Sequence, residues 1–249
     1  MRWSLAADCC FLGTISFFGA THAINIERLS ALSFVIASQS TELLQNAADI
    51  VSRGGVIAFR TDTFYGLGAD PFDHDAVQRI KDLKGREDNK PILIVISDYD
   101  QLDRFISSIT RTFEVLAHKF WPASLTLIGA ARPELPPEIT AGTKTVGVRL
   151  PNDDRVRLLL RTCGGALTAT SANPSHAAPP TTALQVQEYF GDAVDLILDD
   201  GVAQTERPST VVDASQDEPK LIREGVIPWS SVIEELKEIH KGSSPAGRG

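Results

Sequence analysis

Apolar residues at Leu43, Leu44, Ala47, Ile50 and Val51 recur at the three-to-four spacing of a helix face. Ser40 or Thr41 stands where an N-cap belongs, and Gly54 where the helix stops. Val56–Phe59 is a short apolar run and predicts a buried strand, followed by a loop from Thr61 to Gly68. Asp73 opens a second helix with Val77, Ile80 and Leu83 inward, closed by Gly85. Pro91–Ile96 is almost wholly apolar, the mark of a strand covered on both faces. Helical spacing then covers about 99–106 and 111–120, and Leu125–Ile128 is a strand. Arg132–Thr143, with its prolines, is a loop. Thr145–Leu150 is a strand, 153–162 a helix and Ala166–Thr170 a strand; Thr182–Phe190 is helical, and strands follow at 195–199, 209–213 and 220–223. The last helix begins after Pro228, where Ser231 and Glu234 have capping-box spacing.

Strands alternating with helices predict an α/β fold. The closely spaced strands after residue 195 leave no room for helical crossovers, so some pairing is expected to be antiparallel. One domain is expected from 37 to 241, with a Gly/Ser/Pro-containing tail over 242–249. Residues 1–36 are an extension with two readings. Arg2 followed by an apolar, small-residue run to Ala20 resembles a secretory signal, but Asp8 interrupts it; a mis-called start or a disordered extension is the alternative.

Composition narrows the class. With 249 residues, 43% of them hydrophobic, there is ample material for a core. A net charge of -8 argues against a general nucleic-acid coat, which needs a basic face to release phosphate counterions. Cys9, Cys10 and Cys163 form no C-x-x-C pair, and the five histidines show no metal-ligand spacing. A reducing, cytoplasmic compartment is expected, with no membrane span and no protein-bound metal.

No Walker phosphate loop, complete G-x-G-x-x-G, nucleophile elbow or zincin helix is present. Phosphate chemistry would therefore need cations and hydroxyls gathered from several loops. Lys84, Arg86 and Lys90 cluster at a helix end, while Arg149 and Arg223 each end a strand. Loops at strand ends converge in α/β sheets, and guanidinium forks match carboxylate and phosphate oxygens. Any one of these cations alone reads rather as an ordinary surface charge or a helix-end charge offsetting the dipole; their shared placement at element ends is what points to a ligand. Ser171-Ala172-Asn173 and Ser209-Thr210 place hydroxyls and an amide at other element ends, serving either a ligand or the turn itself. Thr61, Thr63 and Tyr65 offer hydroxyls, and Gly66 and Gly68 allow close backbone approach.

Taken in order, seven segments resemble the YrdC-like family of threonylcarbamoyl-adenylate synthases. They are Thr61-Asp62-Thr63-Phe64-Tyr65-Gly66-Leu67-Gly68, Lys84-Gly85-Arg86 with Lys90-Pro91, and Trp121-Pro122-Ala123-Ser124-Leu125-Thr126. Val148-Arg149-Leu150-Pro151, Ser171-Ala172-Asn173, Ser209-Thr210-Val211-Val212-Asp213 and Arg223-Glu224-Gly225 complete the set. The resemblance implies a twisted open mixed sheet with flanking helices around a large concave cavity. It implies a nucleotidyltransferase that makes threonylcarbamoyl-AMP and pyrophosphate from L-threonine, bicarbonate (or carbon dioxide) and ATP with magnesium. The product would pass to a tRNA threonylcarbamoyl transferase, and tRNA is among the contacts the resemblance allows.

Carried over residue by residue, it places Lys84, Arg86 and Lys90 around the ATP phosphates, with Thr145 nearby. Lys84 and Arg86 would also serve catalysis by charge. Ser171, Asn173, Thr181 and Arg223 would hold the nucleotide, and Thr61, Arg149 and Ser209 the threonine. The chain departs from the family pattern at Glu87, at Val95 where some members have histidine, and at Glu206-Arg207-Pro208. Two other readings carry different expectations: a paralogue acting as an RNA-binding module, and a carbamoyl-adenylate module of the hydrogenase-maturation type.

Overall fold

The computed structural model describes residues 35–37, 40–85, 89–203, 205 and 207–242. The leader-like stretch before Val35, the tail beyond Gly242 and Arg86 with Glu87 lie outside them, as do the expectations attached to those positions.

The first helix, α1 (Thr41–Ser52), is capped as its sequence predicts: Ser40 Oγ accepts the Leu43 amide at 3.2 Å. Such a cap contributes about 1 kcal/mol. β2 (Ile57–Arg60) and β3 (Tyr65–Gly68) form an antiparallel hairpin. The segment expected to be one loop is therefore half strand. Gly68 is required by packing, since a Cβ there would lie 2.6 Å from the Phe59 ring. Gly66 meets no such obstacle, with the nearest atom at 3.4 Å.

β1 (Val35–Ala37) joins this hairpin through β10 (Leu196–Asp199), and β9 (Thr170–Ser171) closes the other edge. The resulting five-stranded sheet has the order β1-β10-β2-β3-β9. Its pairing at β1 starts before the sequence boundary at 37. A second sheet follows the order β12-β11-β6-β7-β4-β8, with β5 on β6. Its strands are β4 (Ile94–Ile96), β5 (Ile106–Ser108), β6 (Leu125–Ala131), β7 (Thr145–Arg149), β8 (Ala166–Thr168), β11 (Thr210–Asp213) and β12 (Lys220–Arg223). The mixed α/β class holds, but the strands divide over two sheets. The apolar run 166–170, which reads as one strand, is where the chain changes sheets: β8 pairs with β4 and β9 with β3. The antiparallel pairing expected late in the chain is that of β11 with β12.

Alternating side chains explain why the run Val56–Phe59 is apolar throughout, before β2 ends in Arg60. Val56 and Ala58 enter the larger core with Ile80, Ile94 and Leu127, whereas Ile57 and Phe59 enter a second cluster with α1 and α5 (Asp154–Thr162). α2 (His74–Lys84) is capped by Asp73 and ends in left-handed Gly85. α3 (Arg111–Phe120), the one-turn α4 (Pro137–Thr140) and α6 (Ala183–Phe190) complete the cover together with α7 (Trp229–Gly242). The 99–106 segment is a 3-10 helix over Tyr99–Arg104 running into β5. Ser231 lies inside α7, so the anticipated capping box does not form; the Trp229 amide donates instead to Glu224 Oε1 at 2.8 Å.

Candidate active site

The hairpin turn, β6, the end of β7, β9, β11 and the end of β12 surround a cavity of about 340 Å³. That volume is in the range of small-molecule sites. Thr61, Thr145, Arg149, Ser171, Ser209 and Arg223 line it, six of the residues singled out in the sequence. They come from five separate segments, Thr145 and Arg149 being the two ends of β7, and the two sheets bring them together.

Arg149 ends β7 and is buried, at 3% exposure. Its Nη1 donates to Thr63 Oγ1 at 3.3 Å. The Thr63 and Thr61 hydroxyls lie 3.0 Å apart, and Thr61 Oγ1 donates to the Phe64 carbonyl at 2.8 Å. A consistent chain of donors thus runs from Arg149 through Thr63 and Thr61 to the backbone. Behind it, Asp62 Oδ1 stands 3.3 Å from Arg149 Nη2, and Asp62 Oδ2 accepts from Ser124 Oγ at 2.7 Å.

On the other wall, Arg223 donates from Nε and Nη2 to the Ser209 carbonyl at 3.2 and 3.0 Å, and from Nη2 to Ser209 Oγ at 3.2 Å. Ser209 Oγ also meets Thr126 Oγ1 at 3.0 Å. Loss of hydration first, and the positive charge of Arg149 second, lower the pKa of Arg223 below its ordinary value. Two guanidiniums that disfavour each other face one cavity, the condition in which an anion between them is stabilising. Thr145 joins through its hydroxyl, 2.9 Å from Thr143 Oγ1.

Four of the expected residues are placed elsewhere. Lys84 is buried at 3% exposure, and its ammonium donates to the Ser171 and Asn173 carbonyls. Asn173 donates from Nδ2 to the Pro174 and Ala177 carbonyls, while its buried Oδ1 has no hydrogen-bond partner. These two build the loop that carries Ser171 and do not themselves line the cavity. Thr181 bonds Gln185 Oε1 through its amide at 2.7 Å, at the start of α6. Lys90 precedes Pro91, whose ring is part of the wall. The Tyr65 hydroxyl is also spent, donating to the Gly201 carbonyl at 2.7 Å; burial above all pushes its pKa up to about 12.

Val95 is fully buried in the second cluster and is not part of the wall; Leu93, two residues earlier, is. Sequence reasoning passed over Asp62 as a partner of Arg149, and also Ser124, Thr126 and Ile222. Thr126 carried a usable signal, a lone hydroxyl inside the apolar run of β6. No such signal marked Ser124.

Among the described residues, no carboxylate lines the cavity. The described walls offer hydroxyls and two guanidiniums, which suit an anionic ligand.

The chain belongs to the Sua5/YciO/YrdC family, whose model, described as Telomere recombination, matches residues 49–225. The threonylcarbamoyl-AMP synthase of Pyrococcus abyssi is 36% identical over 193 residues, 78% of this chain and 57% of that protein. That of Thiobacillus denitrificans is 38% identical over 161 residues, 65% of this chain and 85% of that protein. The crystal structure of Pyrococcus abyssi Sua5 complexed with L-threonine superposes with a TM-score of 0.77 at 35% identity, covering 80% of this chain and 58% of that one. The chain therefore spans a little over half the length of this archaeal relative.

Proposed function

We propose that the protein is an L-threonylcarbamoyladenylate synthase, condensing L-threonine, bicarbonate and ATP to threonylcarbamoyl-AMP and pyrophosphate. The observation that carries this reading is the convergence of Arg149, Arg223 and several hydroxyls on one cavity, with no cysteine, histidine or carboxylate among its described lining residues. The names of the relatives support it over an RNA-binding module.

The chemistry needs two steps. The threonine amine and bicarbonate give a carbamate and water; a carbamate oxygen then attacks the α-phosphorus, and the bond to the β-phosphate breaks. No covalent enzyme intermediate is required, so positioning and charge stabilisation supply the catalysis. Arg149 would take the threonine carboxylate fork to fork, with Thr61 and Ser209 at its polar groups. Arg223, Ser171 and Thr145 would hold the nucleotide, and Lys84 and Asn173 would fix the loop that presents Ser171. Lys90, Arg86 and Thr181 belong to the phosphate and nucleotide side of the same reading. Magnesium would arrive on the ATP phosphates, neutralising their charge.

The partners proposed are a tRNA threonylcarbamoyl transferase that accepts the product, and tRNA through it. Among the described residues no helix is long and apolar enough to cross a membrane, and a cytoplasmic location is part of the proposal.

The test is mass spectrometry of the purified protein with ATP, magnesium, bicarbonate and L-threonine, with serine as control. A threonine-dependent threonylcarbamoyl-AMP peak is expected. A folded, ATP-binding protein that gives no such peak overturns the reading.

A further inference from the structure

Arg149 is a buried cation with little to hold it. Among the described residues its one hydrogen bond is to the neutral Thr63 hydroxyl, at 3.3 Å, and its buried Nε has no partner there. Retaining a guanidinium in such a place requires a countercharge, because an uncompensated buried charge costs several kcal/mol. Among the described residues the one ion-pair partner is Asp62, itself only 7% exposed and set behind Arg149, outside the cavity wall.

The Asp62 contact is unusual in form. Oδ1 lies 3.3 Å from Arg149 Nη2 but forms no hydrogen bond, whereas Oδ2 takes a short bond of 2.7 Å from Ser124 Oγ. Ser124 is itself tied into the sheet. Its carbonyl accepts the Thr210 amide of β11 at 3.0 Å, and the neighbouring Ala123 amide donates to the Leu150 carbonyl at 2.9 Å, just past β7. The carboxylate is thus oriented by the framework, offering charge to Arg149 without taking a hydrogen bond from its fork.

We propose that Asp62, anchored by Ser124, is the positioning residue that holds Arg149 buried and aimed into the cavity. The inference rests on Arg149 being the group that receives the substrate carboxylate. It has a definite sign. Were Asp62 merely a competitor for the guanidinium, its neutralisation would tighten carboxylate binding. As a positioning residue, its neutralisation lets Arg149 move away from Arg223 and toward solvent, and binding weakens.

The experiment compares wild-type protein with Asp62→Asn and Ser124→Ala by two independent readouts. Calorimetry with L-threonine and, separately, with ATP is expected to show threonine affinity reduced about tenfold in Asp62→Asn and about threefold in Ser124→Ala, the scale of one lost charge-assisted contact and of one neutral one. ATP affinity is expected to stay within about twofold. Nitrogen-15 NMR of arginine Nε–H groups reads Arg149 without any ligand, its signal identified by disappearance in Arg149→Lys. That signal is expected to be sharp in wild type and broadened in Asp62→Asn. Unchanged or tighter threonine binding, or an unchanged Arg149 signal, overturns the proposal. A wild-type protein that binds no threonine refutes the carboxylate assignment, and the NMR readout still decides positioning. If Asp62→Asn does not fold, Ser124→Ala decides: wild-type affinity with a wild-type signal overturns the proposal.

Discussion

The Lys84 ammonium donates a hydrogen bond to the Asn173 carbonyl at 2.6 Å and another to the Ser171 carbonyl, joining the end of α2 to the loop after β9. A lysine expected on sequence grounds to meet phosphate is therefore also a structural tie. Lys84→Met removes the cation and leaves two loop carbonyls short of a donor. The expected loss is about 2–3 kcal/mol, or roughly 5–10 °C in Tm for a chain of this size. Nucleotide affinity should fall with it. Thermal melts without ligand check the structural role, since a lysine that served only phosphate would leave the ligand-free Tm unchanged.

Arg149→Lys keeps a positive charge beside Asp62 but loses the planar fork. Threonine affinity is expected to fall by about tenfold or more, with ATP affinity within about twofold. Calorimetry of the two ligands separately checks this, and equal threonine affinity in variant and wild type would sink the carboxylate assignment.

Gly225 packs directly behind Ser209. A Cβ at residue 225 would lie 2.1 Å from the Pro208 carbonyl oxygen and 2.5 Å from the Ser209 carbonyl carbon, so backbone must move. Gly225→Ala should displace Ser209 and, with it, the anchor of Arg223. Weaker threonine and ATP binding together, by about tenfold each, is the expected outcome in the same titrations.

Asp195 accepts the Val56 amide at 2.7 Å and both guanidinium nitrogens of Arg79. Burial raises its pKa, but the bonds from Arg79 and Val56 together outweigh this and leave it below its ordinary value. A lowered folded pKa means that the stability it contributes is present above the ordinary carboxylate range and is lost as pH falls through the lowered value. The pair is about one-third exposed, so solvent screening limits the contribution to about 1 kcal/mol. Asp195→Asn should lower Tm by roughly 2–4 °C at neutral pH, with the gap closing in acid. Melts across pH 2–7 measure it.

Burial pushes the Cys163 thiol up to about 12. At pH 8 almost none is thiolate, so iodoacetamide should leave Cys163 unmodified in the folded protein and alkylate it in urea. Peptide mapping of the two samples distinguishes these states, and rapid native labelling would contradict the assignment.

Much of the fold was legible because its signals are local. Ser40 and Asp73 cap the helices that their positions announce, and of the run 91–96 expected to be a doubly covered strand, Ile94–Ile96 is one. Errors fell where two local signals compete. Thr61–Gly68, rich in hydroxyls and glycine, resembles a loop, yet β2 supplies a pairing edge and turns its second half into a strand. Ser231 and Glu234 have the spacing of a capping box, but the helix begins earlier because Glu224 supplies the cap.

Residue chemistry and side-chain periodicity are properties of short segments, so the α/β class, most of the element order and the candidates Thr61, Arg149, Ser171, Ser209 and Arg223 were readable from the chain, while Thr145 entered through the family resemblance. The division of strand 166–170 between two sheets, the tie of Lys84 and Asn173 to the loop beneath Ser171, and the place of Asp62 and Ser124 behind Arg149 came from the three-dimensional fold. Those outcomes depend on which segments meet across about 60 to 105 residues of chain, as with Asp62 and Ser124 (62 apart), Lys84 and Asn173 (89 apart) or Gly66 and Ser171 (105 apart). Burial then makes each meeting consequential, since a cation or carboxylate removed from water must find a partner wherever the fold has placed one.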